Sequence, residues 1–213
     1  MQYPMNLNLA GRRCIVLGGG SVALRKTRSL LEAEGDILLI APTVVEGLER
    51  LALQGRITWR KETFSKGCLP QGFLFICATD DEQVNQEAIK EAKALGMLVN
   101  APAQPELSDF TVPASLRRGK LLLTISTEQL SPACSRLIRE TLEREFPDAF
   151  ADWLEILSAL REKVKHKLPD SKSREQFWRS AMNQEIIALV RMGELEQAEV
   201  RIRNAVDCYR AEP

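Results

Sequence analysis

Apolar positions recur along this chain in two different rhythms. Over the first hundred residues, short unbroken apolar runs are followed by longer stretches in which apolar residues return at helical spacing. The run at 12–17 predicts a buried strand. Val22, Leu24, Leu30, Leu31 and Ala33, set among polar residues, predict a helix over 21–34. ILLIA at 37–41 predicts a second buried strand that Pro42 and Thr43 stop, and a helix follows over 44–53. RITWR at 56–60 alternates as a shorter strand, FLFICA at 73–78 is the clearest buried one, and MLV at 97–99 adds another. Between the last two, Asp80 and Asp81 suit a helix start, and Gly96 closes a helix over 82–95. Strands alternating with helices imply right-handed crossovers and a mainly parallel sheet.

After Asn100 the rhythm changes. APAQPELSDF reads as a loop, and TVPASLRRGKLLLTIST as two strands around a turn at Arg118-Gly119. Ser131 caps a helix that runs to about Phe146, with Pro132 at its first position. From about 150 onward three helical patterns remain, separated at Pro169-Asp170-Ser171 and at Gly193. The chain therefore reads as α/β, with an N-terminal domain over 1–112, a central α+β region over 113–148 and a helical domain over 149–213.

Composition narrows the function classes. Lys plus Arg number 29, as do Asp plus Glu, so no global charge points to a nucleic acid or a membrane surface. No apolar run is long enough to span a bilayer, and the first residues lack the order of a signal peptide. Five scattered cysteines argue against a disulfide framework and a zinc site, and for a reducing cytoplasm. The single histidine, His166, makes a His-rich metal site or a Ser-His-Asp triad a poor expectation, and exposure is its expected state. No bound metal is expected. Cys134, Trp153, Phe177 and Trp178 are read as core or interface residues.

One motif carries chemistry. CIVLGGGSVALRK places Gly18-x-Gly20-x-x-Ala23 between a strand and a helix. The first glycine makes the tight turn, the second lets backbone approach a pyrophosphate, and the small third residue lets helix and strand pack closely. The helix N-terminus supplies N–H groups and partial positive charge to that anion. The alternative is a plain tight turn in an α/β domain. The second strand ends in Ala41-Pro42-Thr43, without the acid that usually holds the adenosine ribose and without an arginine for a 2′-phosphate. The Thr43 hydroxyl and local backbone are left to serve the ribose, and NAD is favoured over NADP.

GGGSVALRK, ATDDEQVN at 78–85, LVN at 98–100, PELSDFTVPA at 105–114, RRGKLLLTIST at 117–127 and SPACSRLIRE at 131–140 follow in order. In these motifs the chain resembles the precorrin-2 dehydrogenase/sirohydrochlorin ferrochelatase family of sirohaem synthesis, over roughly residues 1–146. The resemblance implies an NAD-binding Rossmann domain, dimerisation through 113–148, a homodimer, and tetrapyrrole clefts between domains. It implies hydride transfer from precorrin-2 to NAD⁺, with Fe²⁺ insertion as a second step in many members. Cofactor contacts would fall at Gly18, Gly20, Ser21, Val22, Pro42 and Thr43, with lesser ones at Thr79 and Asn100. Arg117, Arg118, Lys120, Arg136 and Arg139 would meet the carboxylates of the substrate.

Two departures qualify the resemblance. The family's usual acid after the VN motif is replaced by Ala103, which leaves Asp109, with Glu106 beside it, as the nearest carboxylate for catalysis. The family's two glycines before Ser131-Pro132 are Glu128 and Gln129, so any positive φ there carries a cost. Dehydrogenation is expected to survive the missing acid, because the cofactor carries the hard chemistry and the protein mostly positions it. Chelation is expected to be weak. The competing reading is a dimer that binds NAD or a tetrapyrrole as a sensor or carrier without chemistry.

Overall fold

The computed structural model describes residues 2–209 and places them in two compact units, one over Gln2–Val112 and one from Pro113 onward. In the first unit the elements are β1 (Arg13–Leu17), α1 (Ser21–Glu32), β2 (Asp36–Ile40), α2 (Glu46–Leu53), β3 (Thr58–Arg60), β4 (Leu74–Cys77), α3 (Glu82–Ala94) and β5 (Leu98–Asn100). The strands form one parallel sheet in the order β3-β2-β1-β4-β5. Chain order reverses beside β1, so the crevice at the carboxyl ends of β1, β2 and β4 is the topological switch point where ligands of such sheets bind. The alternating pattern thus folds as read, with edges displaced by a residue or two. The loop after β5 also contains a 3₁₀ turn over Pro105–Leu107.

The strands at the centre are apolar on both faces because helices cover both. Ile15, Leu17, Ile40, Phe75 and Val99 pack with Ala88, Ile89 and Ala92 of α3. Cys14, Val16, Leu39 and Ile76 pack on the other side with Ala23 and Leu30 of α1 and Leu48 of α2. Burying one such side chain is worth about 1.5–3 kcal/mol, so the sheet is a rigid floor for the loops at its carboxyl end.

The second unit opens with an antiparallel hairpin, β6 (Ala114–Arg118) and β7 (Leu121–Ile125), turning at Gly119 with φ 54°. Helix α4 (Pro132–Glu145) follows, and the Ser131 side chain accepts a bond from the Cys134 N–H as its cap. Glu128 and Gln129 keep positive φ, 48° and 69°, as glycines would. Four helices complete the unit: α5 (Ala149–Lys167), α6 (Ser171–Ala181), α7 (Gln184–Arg191) and α8 (Leu195–Cys208). The continuous pattern at 174–192 is therefore two helices. Asn183 divides them, its side-chain oxygen accepting from the N–H groups of Glu185 and Ile186 and so capping α7. Trp153, Leu160, Val164, Phe177 and Ile202 fill their common core. His166 is exposed, and so is Cys134, against the burial expected for it. No helix among the described residues is long and apolar enough to cross a membrane.

Candidate functional site

The glycine loop is steric necessity before it is recognition. Gly18 has φ 115°, and a Cβ there would stand 2.2 Å from the Ala78 carbonyl oxygen at the end of β4. At Gly19 a Cβ would stand 1.9 Å from the carbonyl oxygen of Thr43, beyond β2. The loop is wedged between two strand ends: on the β2 side Gly18 N–H donates to Ile40 O and Val45 N–H to Gly19 O, and on the β4 side Ala78 N–H donates to Leu17 O just ahead of the loop. Gly20 differs. A Cβ there would meet nothing within 4 Å, so the position opens outward. It is also the residue that starts α1, and no side chain caps that helix and no acid stands in its first turn. Ala23, fully buried, sits where close packing of helix on strand is needed. Free helix-start N–H groups behind an open glycine form an anion cradle, and a pyrophosphate fits it.

A cavity of about 610 Å³ lies over this loop. Gly18, Gly20, Ser21 and Val22 line it on one side, Pro42 and Thr43 at the end of β2, and Thr79 at the end of β4. These predicted contacts are thus brought together. Asn100 is not among the lining residues. It is buried at the end of β5, and its amide donates to the Phe110 carbonyl at 3.0 Å. Residues that the pattern did not single out also line the cavity: Gly19, and Glu62, Thr63 and Phe64 from the loop after β3. Only strand register brings that loop there, so nothing in the local sequence could have indicated it. Asp80 and Asp81 also line it, and Asp81 caps α3 by accepting from the Val84 N–H at 3.0 Å, as a helix-start residue should.

Beneath Thr79 a buried cluster sets the strand end. Thr79 Oγ1 donates to Asn85 Oδ1 at 2.5 Å, the Asn85 amide donates to Thr79 O at 3.0 Å, and Cys77 Sγ lies 2.9 Å from the same Oδ1. Burial pushes the Cys77 thiol up to about 12, which keeps it a neutral donor to that oxygen. Burial first, and then the nearby Asp36 carboxylate, raise Cys14 to about 11.

Asp109, the carboxylate expected for catalysis, is engaged by the sheet and by a lysine. Its Oδ2 accepts from the Val99 N–H at 2.9 Å, its Oδ1 pairs with Lys93 at 3.2 Å, and its own N–H donates to Val99 O. It pins the loop after β5 to the sheet and does not line the cavity. Ala103 is exposed in the turn ahead of it. In the second unit the candidate carboxylate binders are dispersed among partners. Arg118 donates to Phe146 O and pairs with Asp148, Lys120 pairs with Glu155, and Arg139 pairs with Glu143. Arg117 and Arg136 are exposed.

A parallel sheet with a glycine loop at its switch point and an uncapped helix behind it defines a Rossmann-type dinucleotide-binding protein. Comparison with known proteins agrees and goes further. A family model described as "Putative NAD(P)-binding" matches residues 5–114, and one described as the sirohaem synthase dimerisation region matches 149–206. Sirohaem synthase of Nitrosococcus oceani is 33% identical over 97% of this chain and 44% of its own length, and that of Pseudomonas paraeruginosa is 35% identical over 92% and 42%. The solved structure of SirC, a precorrin-2 dehydrogenase, superposes with a TM-score of 0.76 at 24% identity, over 98% of this chain and all of that one. The chain belongs to this NAD(P)-binding family, in the group that includes sirohaem synthase. It spans less than half the length of the sirohaem synthases it matches. The dimerisation name falls on the helical segment, whereas the sequence reading placed dimerisation at 113–148.

Proposed function

We propose that the protein is an NAD-dependent dehydrogenase that oxidises precorrin-2 to sirohydrochlorin. The observation that carries this reading is the cradle at Gly18-Gly19-Gly20, within the segment 5–114 whose family model is described as putative NAD(P)-binding. Gly20 and the first turn of α1 would hold the pyrophosphate, Pro42 and Thr43 the adenosine side, and Thr79 the nicotinamide side. When bound, NAD⁺ would supply the hydride acceptor. The chain's part is to fix the dinucleotide against the sheet end, and orientation of this kind can supply about 7–11 kcal/mol of a barrier. The Asn85 amide contributes by holding the Thr79 hydroxyl in one direction.

Within this reading the proton is not taken by Asp109. Its carboxylate is held by the Val99 N–H and by Lys93, so we assign it a positioning role. With Ala103 in place of the family acid, water can take the proton, at a loss of about 10²–10⁴-fold in general-base assistance. Metal insertion has no nicotinamide to help it and requires the pyrrole nitrogens to lose protons. Chelation of Fe²⁺ is therefore the weaker activity. Exposed Arg117 and Arg136 are left for substrate carboxylates, with the other three basic residues available only by breaking their pairs. The protein acts in the cytoplasm, as a homodimer.

The test is anaerobic turnover of the full chain with precorrin-2 and NAD⁺, followed by NADH and sirohydrochlorin absorbance, with Fe²⁺ then added. Protein-dependent NADH formation without faster metal insertion is the expected result. Absence of NADH formation would move the protein to the reading as a binding or carrier dimer, which the exchange of the family acid for Ala103 favours. Ala103→Asp, tolerated sterically at an exposed turn, should raise the rate of at least one of the two steps.

A further inference from the structure

β2 ends without an acid, and the loop after β3 brings a carboxylate, Glu62, into the same cavity. β2 and β3 run parallel, with Leu38, Leu39 and Ile40 opposite Thr58, Trp59 and Arg60. The pairing continues past the strand ends, because Ala41 N–H donates to Arg60 O at 3.2 Å and Trp59 Nε1 donates to Ala41 O at 2.9 Å. Two residues further on in the same register, Glu62 stands level with Pro42. That is the place where dinucleotide-binding folds carry their acid, displaced by one strand spacing of about 4.8 Å. Glu62 lines the same cavity as Pro42 and Thr43. Its Oε1 is buried against Arg60, while the side chain as a whole is 42% exposed, which leaves Oε2 as the oxygen to meet a ligand.

The charges around Glu62 set a selectivity. Arg60 forms an ion pair with Glu62 and also donates to Cys68 O at 3.3 Å. Lys61 lies over the Trp59 ring, 5.6 Å from its centroid. With Glu62 in place, Arg60 is neutralised, and a 2′-phosphate would meet a carboxylate at the cavity wall. Without it, Arg60 becomes a free guanidinium of the type that binds phosphate. We infer that Glu62, delivered by β3, accepts hydrogen bonds from the adenosine ribose hydroxyls and excludes the 2′-phosphate, making the site selective for NAD over NADP. This rests on the dinucleotide reading of the cavity given above.

The test is binding of NAD⁺ and of NADP⁺ to the full-length chain by calorimetric titration, for the natural protein and for Glu62→Gln and Glu62→Asp. The natural chain should prefer NAD⁺. Glu62→Gln should shift the ratio of the two affinities toward NADP⁺ by at least about tenfold, the size of one hydrogen bond to a charged group, while Glu62→Asp keeps the preference for NAD⁺. An unchanged ratio in Glu62→Gln, or a natural chain that prefers NADP⁺, overturns the inference and leaves the dinucleotide site standing. A natural chain that binds neither nucleotide overturns both. Melting temperatures of the three proteins show whether the loop after β3 has kept its place.

Discussion

Gly19 illustrates how much a single position can carry without entering a motif. It is the unspecified residue between the two diagnostic glycines, yet a Cβ there would lie 1.9 Å from a backbone oxygen that cannot move without shifting the end of β2. Gly19→Ala should therefore cost at least about 2 kcal/mol, at the upper end of the ordinary range for single substitutions. It should also weaken nucleotide binding, because the loop must back away from Thr43 and the cradle opens. Thermal melting together with nucleotide titration checks both. A variant as stable as the natural chain would mean that the loop relaxes without cost. Glu62 belongs at this scale too: it is one carboxylate whose meaning depends on a neighbour twenty positions away. Asp109 is the converse, a residue selected by elimination whose carboxylate is occupied by the Val99 N–H and Lys93.

At the scale of elements, helix starts and turns follow local chemistry closely. Ser131, Asp81, Asp170 and Asn183 each accept a bond from an N–H two or three residues on. Asp170 has a pH consequence. The backbone N–H and hydroxyl of Ser173 hold its carboxyl below the ordinary value of 3.8. A carboxyl whose folded pKa is depressed adds stability above its unfolded pKa and loses it as pH falls through the folded one. Asp207, held down by Lys167, acts in the same direction. The helical unit should therefore loosen on acidification below about pH 4, and Asp170→Asn, which caps without titrating, should remove part of that slope. Far-UV circular dichroism against pH reads the difference, and identical profiles for the two proteins would discount the cap. Strand and helix positions were legible in the sequence because periodicity and caps are local. The break at Asn183 was missed because apolar spacing runs on across it.

At the scale of the whole molecule the least buried region is 113–148, where Leu116 and Ser135 are the buried residues and Leu130, Leu137 and Ile138 are exposed at 89%, 63% and 39%. The exposed Leu130, Leu137 and Ile138 make this face our proposed pairing surface for a second copy. Light scattering should give a dimer, and Leu137→Glu should give monomers with the N-terminal unit still folded. A dimer that survives the substitution would place the interface at 149–206, where the dimerisation family model matches.

The sequence alone determined the parallel α/β order, the glycine loop and the helical end, because each rests on contacts between residues close in the chain. It also determined what is missing, the acid at 103 and the acid at the end of β2. What only the tertiary structure decided was which distant residues meet. The register of β3 on β2 brings Glu62 to the cavity, and β5 and α3 hold the Asp109 carboxylate through the Val99 N–H and Lys93. Strand pairing joins residues by geometry across long stretches of chain, and no local pattern encodes its register.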